Sequence, residues 1–83
     1  MKIRFTQHSI LQCKERGTNE KEILDAIEKG ESENVKNGRI MYRSNFQYNR
    51  EWGGKFYKIK QVAPVVKKED NELIVITIYT FYF

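Results

Sequence analysis

Residues 5–30 read FTQHSILQCKERGTNEKEILDAIEKG, and the punctuation inside this run decides how the chain folds. Thr6 suits an N-cap, whose side-chain oxygen accepts a backbone N–H, and Gly17 suits the left-handed residue that closes a helix. A first helix is therefore predicted over about residues 7–16. Asn19 is placed to cap a second helix, with Glu22 three residues later to close a capping box, and Gly30 ends it. Ile23, Leu24, Ala26 and Ile27 recur at helical spacing. One face of the second helix should thus pack on a sheet while Glu20, Glu22, Asp25, Glu28 and Lys29 stay wet.

Beyond Gly30 the period changes. Residues 31–38 are polar and turn-rich, as in a loop or a ragged sheet edge. From Arg39 to Tyr48 apolar and polar residues alternate, with Ile40, Tyr42, Phe46 and Tyr48 on one face of a strand. Glu51-Trp52-Gly53-Gly54 supplies a turn. Lys55 to Val66 reads as the next strand, with Lys58 and Lys60 sharing a face and Pro64 marking an edge or a bulge. Lys67 to Asn71 forms another turn, and Glu72 to Phe83 carries the strongest strand signal. Ile74, Ile76 and Ile78 are expected under the helices, and Leu73, Val75, Thr77, Tyr79 and Phe81 on the other face. The fold class expected is α+β: two N-terminal helices packed on a three- to four-stranded antiparallel sheet, in one domain spanning residues 1–83.

Composition narrows the function classes. A hydrophobic content of 40% with five Phe, five Tyr and one Trp fits a folded domain rather than a disordered tail. The single cysteine, Cys13, excludes an internal disulfide and a cysteine-rich zinc site, and fits a reducing cytoplasm. No run approaches the roughly 20 apolar residues that span a bilayer, so no membrane partner is expected.

The net charge of +4 is unevenly spread. Residues 35–68 hold nine basic side chains against Glu51 alone, while the segments on either side are net acidic. Tyr42, Phe46, Tyr48, Trp52 and Tyr57 are interleaved with that positive strip. Bases stack on rings while cations hold the phosphate backbone, so a nucleic-acid surface is expected, with Arg39, Arg43, Arg50 and Lys55 as contacts. A merely solvated basic surface is the plainer alternative.

The chemical lead is His8, the only histidine. Steps of four residues advance about 40° around a helix, which puts His8, Gln12 and Arg16 within roughly an 80° sector. An imidazole can give or take a proton near neutrality. A guanidinium stays charged and grips phosphate with a planar fork. Thr77 and Tyr79 can both donate a hydrogen bond to a ligand oxygen.

Thr6-x-His8, Glu15-Arg16-Gly17 leading into the second helix, and Val75-Ile76-Thr77-Ile78-Tyr79 in the last strand together resemble the domain of unknown function 4258 family. That family is similar to the toxin-nuclease fold of barnase, the tRNase colicins and the RelE-type toxins. The resemblance implies a ribonuclease of a toxin–antitoxin or toxin–immunity system, with His8, Arg16 and Thr77 as site residues and Tyr79 beside them. A strand lysine, Lys58 or Lys60, would add a cation. The chain departs from the family in its long aromatic section from Asn45 to Gly54 and in the extension Thr80 to Phe83, which could cover the sheet, form a homodimer or hold an inhibitor.

Metal-independent RNA cleavage needs a base for the 2′-hydroxyl, cations for the charge growing on phosphorus-bound oxygens, and an acid for the leaving oxygen. His8 would be base or acid, and Tyr79, a lysine or Glu15 its counterpart. No cofactor and no metal are expected. An antitoxin or immunity protein with an acidic surface would complement the strip. The alternative is a non-catalytic RNA-binding or protein-interaction domain using the basic aromatic sheet.

Overall fold

The computed structural model describes residues 2–83. In chain order these form strand β1 (Lys2–Phe5), helix α1 (Gln7–Arg16), helix α2 (Glu20–Lys29), strand β2 (Glu31–Val35), a 3₁₀ turn (Lys36–Gly38), and strands β3 (Arg39–Trp52), β4 (Lys55–Glu69) and β5 (Glu72–Tyr82). The sheet order is β1-β5-β4-β3-β2, with β1 parallel to β5 and the remaining pairs antiparallel. The α+β class and both helices agree with the sequence reading.

The sheet is larger than expected, with five strands and one parallel pair among the described residues. The two additional strands are the two shortest. β1 alternates Lys2, Ile3, Arg4 and Phe5 and exists because Ile3 and Phe5 land opposite Leu73 and Val75, a pairing that spans almost the whole chain. β2 is exposed over most of its length, so it has no buried face to imprint a hydrophobic period.

Both helices are bounded by the residues their caps predict. Ser9 N donates to Thr6 Oγ1 at 3.1 Å, and Gly17 closes α1 at φ 76°. Glu22 N donates to Asn19 Oδ1 at 2.9 Å. The capping box does not close, because the Glu22 carboxylate turns to Thr18 Oγ1 and Lys60 Nζ instead. Ile23, Ala26 and Ile27 are buried as the periodicity predicts, with Leu24 left exposed.

The core lies between the helices and one sheet face. Cys13, Ile23 and Ile27 meet Val62, Val66, Leu73, Val75 and Ile78, with Ile3, Phe5, Ile40, Tyr42 and Phe46 around them. The other face carries no helix. Of the expected Ile74-Ile76-Ile78 row, only Ile78 joins the core cluster. Val66 pairs with Val75 but Val65 pairs with Thr77, so one extra residue is taken up on β5. This bulge places Leu73 and Val75 inward before it and Ile78 after it. Thr77, Tyr79 and Phe81 stay on the open face, opposite Val65, Ala63 and Gln61.

Pro64 was expected at an edge or bulge, yet β4 is an interior strand and Pro64 is fully buried. The β3–β4 register is the same on both sides of it, with Tyr42 and Arg43 simply absent from the paired residues. A proline removes one ladder donor. The bulge facing β4 here is on the neighbouring strand, at Ile76.

Candidate functional site

β1 stops at Phe5, so β5 loses its neighbour after Val75 and would present unpaired backbone groups. α1 covers that edge. Val75 O accepts from Thr6 N at 3.3 Å and from Thr6 Oγ1 at 3.1 Å. Gln12 Oε1 accepts from Ile78 N and from Thr77 Oγ1, both at 2.9 Å. Arg16 O accepts from Thr80 Oγ1 at 2.9 Å and from Tyr82 Oη at 2.7 Å. The helix thus runs along β5 in the same direction, pinned at its start, middle and end.

The Gln12 amide orientation follows from this geometry. Ile78 N–H can only donate, so the Gln12 atom facing it is the oxygen, and the Thr77 hydroxyl must donate to that oxygen as well. Thr77 is left with acceptor lone pairs.

Gln12 and Arg16 of the helix row therefore meet the Thr77-x-Tyr79 pair at one rim, while His8 lines a separate hollow with Leu11, Lys14 and Glu15. The Arg16 guanidinium carbon stands 6.0 Å from the centre of the Tyr79 ring, within cation–π range. His8 is exposed and sits one turn before Gln12, between the level of Val75, where Thr6 bonds, and that of Thr77. Tyr79 is 39% exposed and its ring stacks on Phe81, with centres 6.4 Å apart. Gln12 is the residue whose role was missed. It falls in the same helical sector as His8 and Arg16, but a glutamine plugging a strand edge leaves no mark in sequence.

Neither strand lysine reaches this rim. Lys60 is only 5% exposed, and its ammonium lies 2.7 Å from Glu22 Oε1 and 2.8 Å from Gly17 O, over the ring of Tyr48. It ties α2 and the α1–α2 turn to the sheet. Lys58 is exposed at the far end of β4, five residues from the Tyr79 partner Ala63, or roughly 16 Å along the strand.

The expected RNA contacts also separate. Arg50 and Lys55 flank the β3–β4 turn, over Tyr48 at 4.8 Å and Tyr57 at 5.7 Å. Arg39 is at the other end of β3, roughly 36 Å away along the strand. Arg43 is already paired with Glu33 at 2.7 Å and Gln61 at 3.3 Å. Arg39 lines a groove of about 290 Å³ on the open face with Lys36, Asn37, Met41, Val65, Thr77 and Tyr79. That groove shares Thr77 and Tyr79 with the rim.

No known family, curated protein or solved structure matches the chain. The site must be read from its own chemistry.

Two other reactive groups are held quiet. Burial raises the Cys13 thiol above its ordinary value, with repulsion from Glu20 adding to it. Burial likewise raises the Tyr82 phenol, which stays a proton donor to Arg16 O. Among the described residues no three His, Cys, Asp or Glu side chains gather as metal ligands would, and no helix is long and apolar enough to cross a membrane.

Proposed function

We propose that the chain is a toxin-type endoribonuclease whose site is the rim between α1 and β5. The observation that carries this reading is the docking of α1 by Gln12 on Thr77 and Ile78, which sets Arg16 beside Tyr79, with His8 one turn before Gln12 on the same helix. His8 transfers the proton of the 2′-hydroxyl or of the leaving oxygen. Arg16 stabilises charge on the phosphate. Tyr79 is the second proton-transfer group, with the Arg16 guanidinium beside its ring. Lys58 and Lys60 drop out of the set, one by distance and the other by its pairing with Glu22.

A ribonuclease acting in its own cytoplasm needs an inhibitor protein. Ile10 and Leu11, at 48% and 62% exposure, give α1 an apolar outer patch for such a partner. Induced expression tests the reading: wild type should arrest growth and degrade cellular RNA, and His8→Ala should do neither.

A second reading, a non-catalytic RNA-binding domain, is favoured by the loss of both lysines from the rim. It predicts salt-sensitive RNA binding with no cleavage, because each phosphate contact releases counterions.

A further inference from the structure

We propose that the open-face groove between the 3₁₀ turn and β5 is a ribonucleotide subsite, with Arg39 holding a phosphate and Tyr79 stacking the adjoining base. The inference rests on the reading of RNA as partner and places a nucleotide next to the rim.

Arg39 Nε is buried and has no hydrogen-bond partner, alone among the described residues in that respect. A buried donor without an acceptor is costly. The surroundings supply no anion. The groove is lined by Lys36, Asn37, Met41, Val65, Thr77 and Tyr79 with Arg39 and Val35, and none of these is acidic. Lys67 is directly opposite Arg39 in the β3–β4 register, and like charges placed so oppose each other. Lys67 is paired with Glu69 at 3.0 Å, whereas Arg39 has no ion pair among the described residues. The outer guanidinium nitrogens of Arg39, which have no acceptor among the described residues, are the donors a phosphate in the groove would meet.

The rest of the groove fits the remainder of a nucleotide. Asn37, at φ 64°, turns the chain sharply between Lys36 and Arg39, so both cations border one groove. Met41 and Val65 give it an apolar floor. Tyr79 stacks on Phe81 with the ring planes inclined by 19°, an aromatic pair of the kind on which bases stack. Thr77 has spent its proton on Gln12 and can only accept, which suits the donor of a ribose 2′-hydroxyl. Phosphate, base and sugar thus each have a partner, and the strand would continue over Thr77 and Tyr79 toward Arg16.

Adenosine 3′-monophosphate, its 2′-deoxy counterpart and inorganic phosphate cannot be cleaved by a 2′-hydroxyl mechanism, so their binding is independent of catalysis. Amide NMR titrations should show adenosine 3′-monophosphate moving residues 36–41 and 77–81. Affinity should fall roughly tenfold in Arg39→Gln, as expected for losing a charged hydrogen-bond donor, and less in Arg39→Lys. The deoxy form should bind more weakly, and inorganic phosphate more weakly still. Both variants should melt with wild type, since Nε contributes no bond to the fold. Unchanged affinity in Arg39→Gln, shifts confined to other residues, equal binding of inorganic phosphate, or no binding by wild type would each overturn the subsite. Cleavage of RNA alongside such a result would remove the groove and leave the enzyme reading standing. A groove response without cleavage would do the reverse.

Discussion

Gln12 Oε1 accepts the Ile78 backbone N–H at 2.9 Å, so a helix side chain takes the position a neighbouring strand would otherwise fill. The same oxygen holds Thr77, and through this contact α1 fixes the rim at which Arg16 meets Tyr79. Gln12→Leu leaves the Ile78 N–H buried without an acceptor and should cost about 1–3 kcal/mol. Thr77→Val removes a hydroxyl and leaves the Ile78 bond intact, so its cost should be smaller, about 1 kcal/mol. Urea unfolding of the two variants checks the order.

Lys60 and Glu22 form the buried ion pair of the fold, at 2.7 Å. Removing one partner strands the other. Glu22→Gln should be the more damaging single change, of order 3 kcal/mol, because Lys60 is more deeply buried than its partner. Replacing both, as Lys60→Met with Glu22→Leu, should recover much of the loss. If the recovered protein still cleaves RNA as wild type does, Lys60 is structural, and a stable but inactive double variant would return it to the catalytic set.

Gly17 meets two demands at once. It sits at φ 76°, and a Cβ there would come within 2.6 Å of Tyr82 Oη and 2.7 Å of the Trp52 ring. Gly17→Ala should therefore destabilise by about 1–3 kcal/mol, since a strained backbone and a clash combine. Trp52 is the only tryptophan and stacks on Tyr82 at 5.1 Å, so its fluorescence reports the lowered melting temperature directly.

Alkaline stability follows from Cys13 and Tyr82. Both have folded pKa values raised first by burial, so the folded state binds their protons more tightly than the unfolded chain does. Their contribution is complete below the unfolded values and is lost as pH rises through the raised ones. Unfolding free energy should decline from about pH 9 upward for Cys13 and about pH 10 for Tyr82. Cys13→Ala should flatten the first part of the decline and Tyr82→Phe the second. A profile unchanged by both substitutions would contradict this assignment.

The helices and the alternation of β3 were legible because their signals are local: Thr6, Gly17, Asn19 and Gly30 act on their own neighbours, and Ile40, Tyr42 and Phe46 face one core. β1 was not legible, since Lys2 to Phe5 becomes a strand only by meeting residues 72–75. The β5 bulge shifted every inward residue after Val75, and a stretch with both faces apolar gives no period to reveal such a slip. At the site, helical spacing gave the His8-Gln12-Arg16 row. Spacing along β4 could not tell an exposed Lys58 from a Lys60 drawn inward by Glu22, because that partner comes from α2.

The central claim is that the α1–β5 rim cuts RNA. Arg16 serves the fold through its carbonyl, which accepts from Thr80 and Tyr82, and the ring of Tyr79 is exposed enough to release its guanidinium. Arg16→Ala should accordingly keep the wild-type melting temperature while losing activity. The deciding measurement is the cleavage of RNA by purified wild type, His8→Ala and Arg16→Ala, each with a chelator present. Cleavage by wild type with a loss of at least a hundredfold in His8→Ala, in line with removal of a general acid or base, is the predicted result. Intact RNA with wild type, or equal cleavage by all three, would contradict it.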